Sequence, residues 1–286
     1  MIIEKKISKI RSIITKKKLQ NKRIALVPTM GAIHDGHLAL VKKAKELADI
    51  VVVSIFVNKP QFNDPSDYLK YPSQINADIK KLKEAKIDYL FLPNKNDIYP
   101  PDFSYKIAPN SLTNCLCGSS REEHFEGVSL IITKLFNITT PDIAIFGQKD
   151  FQQLQIIKKL VKDLNFNVKI FGHKILRQKD GLALSSRNSR LSPQNLIKAS
   201  KINKLLTSIR NHIINNSKRK IAFDLKNFLE QKKIELLNSG FEKIDYLEIR
   251  QEQNLELIQK FNPKIASRIF IAVYLGKIRL IDNLKL

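Results

Sequence analysis

The chain has 286 residues, 43% of them hydrophobic, with a formal net charge of +23 at neutral pH. That length fills one large domain or two modest ones, and no run approaches the ~18 uninterrupted apolar residues of a membrane helix, so no membrane partner is expected. The two cysteines, Cys115 and Cys117, are too close for an ordinary structural crosslink; a disulfide framework is not expected, and a reducing cytoplasm fits better. They lack neighbouring ligands at the usual metal spacing. The opening MIIEKKISKI intersperses charges among its apolar residues and so lacks the apolar core of a secretory signal. Lysines recur along the whole chain, as Lys16-Lys17-Lys18, Lys80-Lys81, Lys158-Lys159 and Lys232-Lys233. Their spread reads as compositional bias rather than a nucleic-acid stripe, and no nucleic-acid partner is expected.

In chain order, residues 24–27 read as a strand, 36–48 as a helix and 51–57 as a second, almost wholly apolar strand. Such continuous apolar runs suit strands buried on both faces of a parallel sheet. A helix at about 74–85 leads to a strand at 88–92; a helix at 128–138 leads to a strand at 143–146; a further helix runs over 150–164. This alternation predicts an α/β fold, a Rossmann-like doubly wound parallel sheet, over residues 1–175.

Beyond residue 175 the pattern changes. Ile202, Leu206, Ile209 and Ile213 form one helical stripe within 196–213, with Ser192-Pro193 as N-cap and first turn. A second helix at 221–237 should stop at Gly240. Strands are expected at 244–249, 268–275 and 277–281, the last two hinged at Gly276. Residues 176–286 thus read as a smaller α+β domain, expected to close over a ligand bound to the first.

Three segments carry chemistry. Met30-Gly31-Ala32-Ile33-His34-Asp35-Gly36-His37 follows the first strand and runs into a helix. There glycines let backbone approach a ligand, and a helix start offers N–H groups and a positive dipole end to phosphate. Two histidines three apart can donate to oxygens that gain charge at phosphorus; a turn whose histidines only cap the helix is the plainer alternative. Gly147-Gln148-Lys149-Asp150, continuing to Gln153, sits where a strand gives way to a helix, the edge at which open α/β sheets bind ligands. Leu184-Ser185-Ser186-Arg187 combines hydroxyls with a guanidinium fork, a good phosphate clamp, although an ordinary polar loop can look the same.

Together these segments resemble the pantothenate synthetases, within the H-x-G-H nucleotidyltransferase superfamily. The resemblance runs through VPTMGAIHDGH at 27–37, SIFVNKPQF at 54–62, LCGSSREEHFEGV at 116–128, TKLFNITTPDIAIFGQKDFQQL at 133–154 and DGLALSSRN at 180–188. It implies ATP-dependent joining of pantoate to β-alanine through an acyl adenylate, with Mg²⁺ accompanying ATP and Asp150 a possible ligand. Met30 to His37 would line the ATP site, with His34 and His37 on the phosphates and His37 the best proton donor. Gln61 would serve both pantoate and β-alanine, and Gln153 pantoate. Gly147, Gln148, Lys149 and Asp150 would bind nucleotide, with Lys149 on phosphate. Leu176 would meet adenine through backbone groups, and Leu184, Ser185, Ser186 and Arg187 would close over the triphosphate. A homodimer through the first domain is also implied. The chain departs from the family pattern at Gln148, in place of an acid, at Glu122-Glu123, in place of Pro-Gly, and at Lys59-Pro60. A nucleotidyltransferase acting on a phosphorylated acceptor would share the histidines but would not need Gln61 and Gln153.

Overall fold

The computed structural model describes residues 1–286. In chain order the elements are β1 (Ile2–Glu4), α1 (Ile7–Leu19), β2 (Ile24–Thr29), α2 (Asp35–Leu47), β3 (Ile50–Ile55), α3 (Pro65–Leu69), α4 (Ile75–Glu84), β4 (Tyr89–Phe91), α5 (Lys95–Ile98), α6 (Leu116–Ser120), α7 (His124–Thr139), β5 (Ile143–Gly147), α8 (Phe151–Asp163) and β6 (Lys169–His173). They continue as α9 (Pro193–Lys218), α10 (Leu225–Asn238), β7 (Lys243–Gln251), β8 (Ser267–Leu275) and β9 (Ile278–Lys285). Two compact units result: Met1–Thr113, Arg121–Gln148 and Gln153–Ile175 form the first, and Asn114–Ser120, Lys149–Gln152 and Leu176–Leu286 the second.

The first unit holds a six-stranded sheet in the order β1-β4-β3-β2-β5-β6, with every pairing parallel. Ala25, Val27, Val51, Val53, Ile55, Leu90, Ile143 and Ile145 pack with Leu40, Val41 and Ala44 of α2 and Leu82 of α4. The alternate residues Ile24, Leu26, Val52 and Ala144 are equally buried. Burial of both faces is why these strands read as continuous apolar runs. Chain order reverses at β2, which pairs with β3 on one side and β5 on the other. That is the switch point at whose carboxyl edge such sheets bind ligands.

Two edge strands were not legible beforehand. β1 has three residues, with Ile2 and Ile3 exposed, and β6 includes a charged residue and Gly172. Neither shows the period that marks a strand. Helix α7 also begins earlier than its apolar run, at His124, because the residues of the preceding loop continue into it.

In the second unit α9 and α10 pack on an antiparallel sheet, β7-β8-β9. The Ile202, Leu206, Ile209 and Ile213 stripe is buried in this core. Ser192 caps α9 by accepting the Asn195 N–H at 3.2 Å. Gly240 follows α10 with φ +95°, a conformation that suits glycine after a helix. The β8–β9 hairpin turns at Gly276, φ +58°. No helix is long and apolar enough to cross a membrane.

Candidate active site

In the first unit, the loops after β2, β3 and β5 leave the same edge of the sheet because all three strands run parallel. The loop after β2 turns at Gly31, φ +85°, and Ala32, φ +49°. Asp78 of α4, 2% exposed, accepts the Ala32 N–H at 2.9 Å and the Ile33 N–H at 2.7 Å. A Cβ on Gly31 would stand 3.0 Å from the same carboxylate, so glycine there permits the close approach. Lys81, one turn along α4 from Asp78, donates to the Ile33 carbonyl. Sequence reading passed over Asp78; the available signal was an acid on the apolar face of a strongly amphipathic helix.

The expectation of open backbone N–H groups at this turn needs correction. Gly31 N–H is held by the Thr29 hydroxyl, Ala32 and Ile33 by Asp78, His34 by His37 Nδ1 at 3.4 Å, and Gly36 by His34 Nδ1 at 3.1 Å. His34 is the N-cap of α2, and His37 closes a reciprocal capping box. Both histidines therefore cap the helix. Each Nδ1 acts as an acceptor, which places the proton of a neutral ring on Nε2 as a donor. The two rings stack with centroids 4.1 Å apart.

Gln61 ends a single 3₁₀ turn, Lys59–Gln61, beyond β3. Its side-chain Nε2 lies 3.1 Å from Met30 Sδ, which brings it to the β2 loop. Asn58, 1% exposed, donates its amide to Gln61 Oε1 at 3.0 Å and to the Gly127 carbonyl at 2.9 Å, while Tyr99 donates to Asn58 Oδ1 at 2.7 Å. Burial pushes the Tyr99 hydroxyl above its ordinary range, so it stays protonated and donating. With Gln61 Oε1 held this way, its N–H₂ is the end turned toward Met30. The Gln61 carbonyl accepts from His124 Nδ1 at 2.7 Å and Arg121 Nη2 at 3.1 Å, and Arg121 Nη1 meets His124 Nε2 at 2.9 Å. The loop with two acids in place of Pro-Gly thus clasps the Gln61 backbone. Gln148 donates to the Gly172 carbonyl at 3.1 Å, tying the ends of β5 and β6. Gln153 is half-buried in the first turn of α8.

In the second unit, residues 176–184 form a tight antiparallel turn. Leu184 N–H donates to the Leu176 carbonyl at 3.0 Å and Gln178 N–H to the Leu182 carbonyl at 2.8 Å, with Gly181 at φ +93°. The Leu176 carbonyl thus takes part in this turn. Ser185, Ser186 and Arg187 follow directly, half-buried, with Ser185 Oγ accepting the Arg187 N–H at 3.3 Å. Buried Asn188 pins this corner through the Ala183 carbonyl at 3.0 Å. Lys149 and Asp150 group with this unit, Asp150 exposed. No cluster of three His, Cys, Asp or Glu that could hold a metal by itself is present. Cys117 is buried against the Tyr246 hydroxyl at 3.2 Å and Arg279 at 3.4 Å.

Two outcomes test the geometry of the first unit. Asp78→Ala leaves two buried N–H groups without an acceptor, and should lower unfolding free energy by roughly 2–4 kcal/mol and weaken ATP binding about tenfold. Urea unfolding and nucleotide titration check it; an unchanged ATP affinity would remove Asp78 from the loop's support. A Cβ on Gly127 would lie 2.5 Å from the Pro60 carbonyl carbon and 2.6 Å from Gln61 N. Gly127→Ala should therefore cost about 1–3 kcal/mol and raise KM for pantoate more than KM for ATP. Equal changes in both constants would contradict a role confined to Gln61.

Comparison with known proteins bears on the whole chain. The profile of the Pantoate-beta-alanine ligase family matches residues 2–285. A pantothenate synthetase of Psychrobacter sp. (strain PRwf-1) is 45% identical over 269 residues, 92% of this chain and 91% of its own. That of Thermosipho africanus is 42% identical and covers 99% of both chains. Among solved structures, pantothenate synthetase from Thermus thermophilus superposes with a TM-score of 0.89 at 34% identity, covering 100% of this chain and 99% of that one. Pantoate-beta-alanine ligase from Francisella tularensis, complexed with beta-gamma ATP and beta-alanine, gives a TM-score of 0.83 at 40% identity, covering 100% and 97%. With its parallel sheet, its paired histidines and this agreement over its full length, the chain belongs to the pantoate–β-alanine ligase family.

Proposed function

We propose that the protein condenses (R)-pantoate with β-alanine, converting ATP to AMP and diphosphate through a pantoyl adenylate. A carboxylate is a poor acylating agent because oxide would have to leave. In the first step a pantoate carboxylate oxygen attacks the α-phosphorus, and the bond from that phosphorus to the bridging oxygen breaks to release diphosphate. In the second the β-alanine amine attacks the acyl carbon, AMP leaves with the electron pair of the C–O bond, and the amine loses a proton. The observation that carries this reading is the pair of imidazoles at the start of α2, each accepting at Nδ1, on the same sheet edge as Gln61.

His34 and His37 donate from Nε2 to phosphate oxygens as negative charge moves onto the leaving diphosphate, with His37 the principal donor. Met30, Gly31, Ala32, Ile33, Asp35 and Gly36 shape the nucleotide side of the turn. Gln61 donates its amide to pantoate and contributes to the β-alanine position, and Gln153 holds pantoate. In the second unit Lys149, Ser185, Ser186 and Arg187 take the triphosphate oxygens. Gly147, Gln148, Asp150, Leu176 and Leu184 shape the nucleotide's surroundings. Mg²⁺ would arrive on the nucleotide, because the chain offers no cage of its own and Mg²⁺ commonly takes phosphate oxygens, water and at most a carboxylate or two. Asp150, exposed, is the carboxylate available for that. Bound Mg²⁺ would supply charge neutralisation on the phosphate oxygens. Family resemblance and the two free cysteines support a cytoplasmic enzyme, and resemblance alone supports a homodimer through the first unit.

The test mixes protein, ATP, Mg²⁺ and pantoate and follows diphosphate and AMP before and after β-alanine is added. Diphosphate release requiring pantoate, followed by AMP and pantothenate once β-alanine arrives, is expected. His37→Ala should slow the first step about 100-fold with little change in pantoate KM. Diphosphate release with a phosphorylated acceptor and no AMP would instead assign the chain to nucleotidyl transfer.

A further inference from the structure

Two adjacent buried residues of β9, Asp282 (4% exposed) and Asn283 (2%), are unusual in joining two segments that the proposed reaction uses. Asp282 takes both Arg177 nitrogens, Nη1 at 2.6 Å and Nη2 at 2.9 Å. Arg177 also donates Nη1 to the Gly181 carbonyl at 3.1 Å and Nη2 to the Asn283 carbonyl at 3.3 Å. It therefore straps the 176–184 turn, and with it the start of Ser185-Ser186-Arg187, to β9. Asn283 donates Nδ2 to the Lys149 main-chain carbonyl at 2.9 Å. Its Oδ1 accepts Arg268 Nη1 at 2.6 Å, and Asn283 N–H donates to Asp282 Oδ1 at 2.7 Å. Arg268, 6% exposed, is fixed in turn by Glu252 at 2.8 Å and lies 4.2 Å over the Phe151 ring.

A bidentate carboxylate–guanidinium pair and a fully engaged amide set geometry better than any apolar contact, because each has one productive orientation. Burying them is hard to account for by stability alone, since paired buried charges are often replaceable by apolar residues without loss. We propose that Asp282 and Asn283 are positioning residues of the ligase, a strut on β9 that fixes Lys149 through its carbonyl and the Ser185–Arg187 segment through Arg177. The proposal rests on the assignment of those two segments to the nucleotide. It implies that the end of β9, which touches no substrate in this scheme, governs ATP affinity and the adenylation rate but not the binding of β-alanine.

A double-mutant cycle separates this from ordinary packing. ATP affinity is titrated for wild type, Asn283→Ala, Lys149→Ala and the double variant, all with Mg²⁺, and the pantoate-dependent diphosphate rate is followed in parallel. Asn283→Asp serves as a second companion: it keeps the acceptor for Arg268, replaces the donor to Lys149 with an oxygen that repels its carbonyl, and adds a buried carboxylate beside Asp282. Asn283→Ala or Asn283→Asp should weaken ATP binding at least tenfold, and less than twofold when Lys149 is already alanine, with KM for β-alanine within twofold of wild type. Asp282→Asn with Ser186→Ala should show the same non-additivity. Full additivity in both cycles, or a loss of thermal stability with unchanged ATP affinity, overturns the strut. Wild type that binds ATP but releases no diphosphate with pantoate overturns the proposed reaction while leaving the ATP cycle readable.

Discussion

The architecture of the first unit depends on a six-stranded sheet that is parallel throughout and apolar on both faces. Both faces are apolar, and backbone groups outside the ladder lie in the connecting loops and along the outer edges of β1 and β6. Where the strand order reverses at β2, the carboxyl edge is the place at which such sheets bind ligands. His34 and His37 follow β2, Gln61 follows β3, and Gly147 ends β5. These residues lie far apart in sequence, and the parallel order alone brings their loops to one edge.

Within that edge, Asp78 decides which backbone groups of the β2 loop are engaged. Its buried carboxylate takes two successive N–H groups of the turn, a role that phosphate oxygens play in glycine-rich loops. The negative charge is thereby built into the loop, and the turn is rigid without ligand. The capping box leaves each neutral imidazole with Nε2 as its donor. A helix start that uses its own histidines as caps fixes the tautomer of both rings.

The sequence made the sheet's central strands, the long amphipathic helices, Ser192 as a cap and Gly240 and Gly276 as stops legible, because each follows from a local period or a local backbone demand. The H-x-G-H turn was legible for the same reason. Asp78, Asn58, Tyr99 and His124 were not, since each acts on a residue 3 to 63 positions away and has no local signature. Gly127 illustrates the difference. In sequence it is a poor helix residue, and only the approach of the Pro60–Gln61 backbone explains it. The β1 and β6 edges escaped notice because one is short and half-exposed and the other carries glycine and charge, the features that keep edge strands from pairing further.

The departures from the family pattern acquire a physical sense once their contacts are known. Gln148 donates an amide N–H to the Gly172 carbonyl, which a carboxylate could not do, so the change from acid to amide joins β5 to β6 while removing a negative charge next to Lys149. Glu123 takes a left-handed backbone, φ +55°, at the N-cap of α7, a conformation that glycine adopts without strain. Its carboxylate pairs with Lys106 at 2.9 Å, a contact that glycine at 123 could not make, and Lys106 also reaches Glu126 at 3.5 Å. Both exposed pairs are weak. What matters for Gln61 is supplied by Arg121 and His124, which flank the two acids and hold its carbonyl. The substitutions therefore change how the loops are braced, while the donors assigned to substrate remain those of the family.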